Sequence, residues 1–204
     1  MRRIPLFPTI VVACAIAAMI ALGLWQLLER LPQKEAFVAQ IAANPAKPAI
    51  RFPAAADERL LFRRATALCR DPAEPILQGA GAAGYRLIVR CRGGADAPAM
   101  MVQLGTTRDT GTKIAWPGGV VSGFISHAPD SRSLIGSLFE DSPRALMLVL
   151  DTPPAGLKAN NTPDIASIPN SHLAYAGQWF FFAAIAAVIY ALALRRRRPT
   201  AEPA

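Results

Sequence analysis

Histidine is scarce in this chain, with two residues in 204, and cysteine is little commoner, with three. His127 has no Cys, Asp or Glu at a recognised metal-ligand spacing, and Asp130 reads as a turn residue, so metal catalysis lacks its ligands. A Gly-x-Ser-x-Gly elbow is absent; Val121-Ser122-Gly123 follows a Pro-Gly-Gly turn and reads as strand. Gly79, Gly81 and Gly84 are spaced like a phosphate loop, but no helix follows to hold the anion, and they read as loop glycines. No acid–base pair or redox centre is visible. The expectation is a protein that is not an enzyme, with no catalytic residues and no resident metal.

Charge is missing from two long stretches, Ile4 to Leu28 and Leu173 to Leu194. At about 1.5 Å per residue, either one as a helix covers a hydrocarbon core of roughly 30 Å. Arg2 and Arg3 precede the first, and Arg195 to Arg198 follow the second, which puts both termini in the cytoplasm and the middle across the membrane. These ends hold six basic residues and Glu202 of a net charge of +8, leaving sixteen basic and thirteen acidic residues between the spans. Nucleic acid is therefore not an expected partner, whereas the lipid bilayer is, with the arginine run fitting topology and anionic lipid contact.

The apolar run continues past Val11-Val12-Ala13-Cys14 without a small-x-small cleavage site. It reads as an uncleaved anchor in a bacterial inner membrane, with lipoprotein processing at Cys14 as the alternative. The expected organisation is residues 1–31, cytoplasmic N-terminus and first transmembrane helix; 32–171, periplasmic β-rich domain; 172–194, second transmembrane helix; and 195–204, basic cytoplasmic tail.

Between the spans, Glu29 to Ile41 reads as a polar continuation of the first helix interrupted by Pro32, and Asn44-Pro45, Pro48 and Pro53 mark a linker. The period then changes. In Tyr85 to Arg92 one face holds Tyr85, Leu87, Val89 and Cys91 and the other three arginines, which is a half-buried strand. Leu60–Cys69, Ala99–Leu104, Gly119–Ile125 and Ala145–Leu150 read as further strands, Glu74–Gln78 as a weaker one, and Asp130–Asp141 as a short helix. Thr152–Pro169, with four prolines, reads as an extended return to the membrane. The fold class is membrane α plus β: two transmembrane helices flanking an antiparallel extracytoplasmic small barrel or sandwich.

Cys69 and Cys91 both fall in the domain facing an oxidising compartment, which raises a disulfide. A plain hairpin leaves them out of register, and a meander through Glu74–Gln78 leaves them two strands apart unless the sheet curls. Disulfide and separate buried thiols both stay open.

The end of the first span, Gly23-Leu24-Trp25-Gln26, and the start of the second, Asn170-Ser171-His172-Leu173-Ala174-Tyr175, lie at one membrane depth. At 100° per residue His172, Tyr175, Ala176, Trp179, Ala183 and Tyr190 share a stripe, as do Gly23, Gln26 and Arg30; Ala13, Ala17 and Ala21 recur every four residues, a row that suits close helix approach. Imidazole is a good ligand for haem iron, and an aromatic cleft at the bilayer surface suits a porphyrin. An aromatic belt alone also accounts for Trp25, Tyr175 and Trp179.

The stretch Gly23-Leu24-Trp25-Gln26 with Arg30 and Lys34, together with Asn170 to Phe180, resembles the two signatures of the Surfeit-locus-1 family of cytochrome c oxidase assembly factors. Ser171 stands where a second asparagine is usual, Gln178 where a threonine is, and Val102-Gln103-Leu104-Gly105-Thr106 reduces the family's Asn-Arg-Gly-Trp element. The resemblance implies delivery of haem a into oxidase subunit I, with haem A synthase a further partner. By position, His172 is the candidate haem-contacting residue, with Trp25, Gln26, Tyr175 and Trp179 around it. The rival reading is a scaffold that stabilises an oxidase assembly intermediate by protein contacts only.

Overall fold

The computed structural model describes residues 5–92, 99–129, 143–162, 164–165 and 168–196. The helix expected over Asp130–Asp141 lies outside the described residues, as do Arg2, Arg3, Arg197 and Arg198. The chain divides into two compact units: Met1–Phe37 with Ala166–Ala204, and Val38–Ile165.

In the first unit, helix α1 runs from Leu6 to Trp25 without a charged side chain, and Pro8 sits in its first turn, where a missing N–H costs nothing. A π-helical turn over Gln26–Arg30 follows, and helix α2 covers Leu31–Ala42, its residues from Val38 onward belonging to the second unit. The Leu31 N–H bonds to the Gln26 carbonyl, one residue further back than in an α-helix. Pro32 supplies the physical cause. It cannot donate to the carbonyl four residues before it, and the wider turn absorbs that loss without breaking the helix. Helix α3 spans His172–Arg196. Both helical stretches are long and apolar enough to cross a membrane.

The expected alanine row is not where these helices meet. Ala13, Ala17 and Ala21 are exposed, whereas Thr9, Val12, Ile16, Met19, Gly23 and Gln26 form the more enclosed row of α1. That row advances by alternating steps of three and four, the spacing of a helix-pair seam. On α3 the buried positions are Ala176 and Ala183. A Cβ at Gly23 would stand 2.7 Å from the Phe180 ring, so the seam is formed by a large side chain seated on a glycine.

In the second unit, seven strands follow the chain: β1 Ile50–Arg51, β2 Arg64–Pro72, β3 Ile76–Gly79, β4 Tyr85–Arg92, β5 Met100–Thr107, β6 Gly119–His127 and β7 Leu146–Leu150. The sheet order is β1-β2-β6-β7-β5-β4-β3, and an added β2–β4 pairing closes β2, β6, β7, β5 and β4 into a barrel. The pairings are antiparallel except β1–β2 and β5–β7, which are parallel.

Register explains the core. Val89, Val102, Leu148 and Ile125 stand side by side across β4, β5, β7 and β6, and all are fully buried. The alternate positions of β7, Met147 and Val149, join Ile88 and Ala128 in a second apolar cluster, against which Met101 and Phe124 pack. With both faces covered, Leu146 to Leu150 reads as a continuous apolar run rather than an alternating one. Ile88, on the same face of β4 as its three arginines, is nonetheless buried because Ala128, Met147 and Val149 cover that face at its position.

Closure also decides the cysteines. The sheet curls, and Cys69 and Cys91 form a disulfide with 5.2 Å between Cα atoms. The extended segment after β7 lies along β5. Lys158 and Thr106 exchange backbone hydrogen bonds of 2.8 and 3.0 Å, and a Cβ at Gly105 would come within 2.8 Å of the Lys158 carbonyl. The glycine in the Val102–Thr106 stretch is therefore needed for this close approach.

Asn44 is more than a linker residue. Buried to 1% exposure, its Nδ2 donates to the carbonyls of Arg59 and Leu61 at 2.7 and 2.8 Å, and its Oδ1 accepts from Lys47 Nζ at 2.9 Å.

Candidate functional site

The helix-pair unit brings His172 and Gln26 together. α3 starts at His172, with the Tyr175 N–H bonded to the Ser171 carbonyl at 2.9 Å, so the imidazole projects from the first turn. Gln26 is the last member of the enclosed row on α1 and the first residue of the π turn. Across the seam His172 Nδ1 lies 2.7 Å from Gln26 Oε1, joining two side chains 146 positions apart in sequence. Both are half-buried.

The aromatic candidates stand differently. Trp25 is 43% exposed, and the Arg30 guanidinium lies over its ring at 5.4 Å from the centroid. Tyr175 is 52% exposed, and Trp179 is half-buried. His172 and Gln26 thus share a bond, whereas Trp25, Tyr175 and Trp179 offer aromatic surface on the same helices.

A second polar contact joins the opposite end of the pair, where Tyr190 and Thr9 share a hydrogen bond. The Thr9 hydroxyl already donates to the Pro5 carbonyl at 2.8 Å, so its single proton is used and Tyr190 must be the donor. This contact was missed from sequence, although a hydroxyl on each apolar stretch at matching depth was a signal for it.

The barrel unit carries two further features. A shallow cleft of about 410 Å³ is lined by Trp116, Pro117, Val120, Val121, Pro153 and Pro154 among others, with no charged side chain. His127 Nε2 lies 3.4 Å from Glu58 Oε1, and its geometry makes no hydrogen bond. Nearby, Asp57 caps the turn Glu58–Leu60. Hydrogen bonds from the Arg59 side chain and backbone hold its carboxyl below the usual carboxylate range, and the same pair raises the Arg59 guanidinium. Burial lowers Arg86, whose Nε donates to Gln78 Oε1 across β3 and β4. Among the described residues no group of three or more His, Cys, Asp or Glu could hold a metal ion.

A family model described as the SURF1 family matches residues 13–184, which takes in most of α1, the whole barrel unit and the first half of α3. No curated protein matches the chain. The match covers most of the sequence and includes both Gln26 and His172, so this chain belongs to the SURF1 family, whose members are linked to cytochrome c oxidase assembly.

Proposed function

We propose that the protein holds haem a at the periplasmic face of a bacterial inner membrane and aids its insertion into oxidase subunit I, receiving it from haem A synthase. In this reading it is a chaperone and not an enzyme, both termini are cytoplasmic, and haem a is its cargo. The observation that carries the reading is the His172–Gln26 contact at one end of an apolar helix pair. An imidazole with one nitrogen tied to a neutral acceptor is a suitable donor for haem iron. The exposed rings of Trp25 and Tyr175, with half-buried Trp179 one turn after Tyr175 on α3, would suit the apolar faces of a porphyrin. Arg30, held over Trp25, adds positive charge beside that surface, where a propionate would be favoured.

The test is the visible absorption spectrum of the detergent-purified full chain, made in cells that also synthesise haem A, beside a His172→Ala variant. Haem a copurifying with the wild type, and lost or spectrally shifted in the variant, is the expected result. Folded wild-type protein free of haem refutes it and moves the assignment to a scaffold that acts through protein contacts alone.

A further inference from the structure

We infer that Gln26 is a positioning residue that fixes the proton of His172 on Nδ1 and so presents Nε2 as the free donor nitrogen. The inference rests on the haem-holding reading only for what Nε2 meets; the proton assignment follows from chemistry at the contact. An amide oxygen has lone pairs and no proton, so the ring nitrogen 2.7 Å from Gln26 Oε1 must be the donor. Neutral imidazole carries one N–H. With that proton on Nδ1, the lone pair is on Nε2.

The helix pair is built to hold this geometry. Gly23 lies one turn before Gln26 and is buried, with the Phe180 ring of α3 seated on it, so the two helices are packed together one turn from Gln26. The Gln26 carbonyl accepts the wide bond from the Leu31 N–H, so the π turn forced by Pro32 starts at this residue. A neutral amide acceptor also differs in effect from a carboxylate. A carboxylate on Nδ1–H draws the proton harder and makes Nε2 a stronger donor; the amide fixes the ring while leaving the metal bond weaker, which suits a protein that must release its cargo.

The experiment uses the full chain in detergent with its histidines labelled with ¹⁵N, at alkaline pH where imidazole is neutral, and assigns His172 by comparison with His172→Ala. The wild type should show a protonated Nδ1 and an unprotonated Nε2. Gln26→Leu, which removes the acceptor, should shift His172 toward the Nε2–H form preferred by free histidine. Gln26→Glu, which keeps an acceptor, should retain Nδ1–H. In protein from haem A-producing cells, Gln26→Leu should lower haem a retention by about 10- to 100-fold, and Gln26→Glu should restore it. An Nε2–H wild-type histidine overturns the inference, as does a Gln26→Leu variant with unchanged tautomer or unchanged haem retention. A wild type with Nδ1–H but no haem a refutes the cargo reading while upholding the orienting role of Gln26.

Discussion

The barrel seam between β2 and β4 should depend on its disulfide more than any other junction in the domain. There only Arg70 with Arg92 and Pro72 with Cys91 are in register, with a bulge between them, and Asp71 is pushed to a φ of 43°. By contrast β2 and β6 pair without interruption from Arg64–Phe124 to Cys69–Gly119. The Cys69–Cys91 bond spans a sequence separation of 22 residues, and closing such a loop in the unfolded chain is worth about 3 kcal/mol on the chain-entropy account. For a domain of this size that corresponds to a fall in melting temperature on the order of 10 °C. Reduction of the wild type isolates the cross-link, because both sulfurs remain, whereas a Cys69→Ala/Cys91→Ala double variant adds the loss of two buried side chains. The assay is the thermal melt of the full chain in detergent with and without reductant, joined to amide hydrogen exchange. Exchange should rise first at Arg70, Asp71, Cys91 and Arg92, while β5–β7 stays protected. A melting temperature unmoved by complete reduction, with unchanged exchange at the seam, would show that backbone pairing alone closes the barrel and would refute the argument.

Asn44→Ala should destabilise the barrel unit by about 2–4 kcal/mol, since it strips the donor from two carbonyls at a buried site, and a denaturant melt followed through Trp116 reads this directly. Gly123→Ala should fail to give folded protein, because its Cβ would sit 1.9 Å from the Val149 carbonyl oxygen on the paired strand; the soluble, protease-resistant yield decides. Thr9→Val should loosen the helix pair by about 1 kcal/mol and Tyr190→Phe by less, since the first strands a donor in apolar surroundings and the second leaves Thr9 still bonded to Pro5; equal losses in detergent melts would count against that donor order. Asp57 has a folded pKa below its unfolded value of about 3.9, so its contribution is present above that value and is lost as pH falls through the lowered one; wild type and Asp57→Asn should differ slightly in melting temperature at neutral pH and converge in strong acid.

Much of the architecture was legible because it rests on local rules. Absence of charge marked both apolar helices, and alternation marked β4, from Tyr85 to Arg92, to the residue. What was not legible depended on partners distant in sequence. Asn44 looked like a linker turn because its two acceptors lie 15 and 17 positions later. The parallel β5–β7 pairing could not be read from β7, an unpatterned apolar run whose neighbours are set by the whole barrel. The alanine row misled for a different reason. Small residues permit close approach but do not require it, and the contact was decided at Gly23, where Phe180 from the other helix fills the space that alanines would have shared.

The two polar contacts of the helix pair differ in a way that bears on function. At the Thr9–Tyr190 end each hydroxyl proton has an acceptor, Thr9 giving to Pro5 and Tyr190 to Thr9, so the cluster closes on itself and needs nothing further. At the other end the accounting leaves a remainder. With Gln26 Oε1 accepting from His172 Nδ1 as inferred above, Nε2 is left without a hydrogen-bond partner among the described residues. Antiparallel helices that begin and end at matching positions could have been pinned equally well by a hydroxyl pair at both ends, with less polar surface to desolvate. A hydroxyl pair would close such a contact, whereas an imidazole that donates from Nδ1 keeps a nitrogen lone pair on Nε2. On the proposed reading, this free nitrogen, rather than the aromatic residues that any membrane interface attracts, is the group that would hold the cargo.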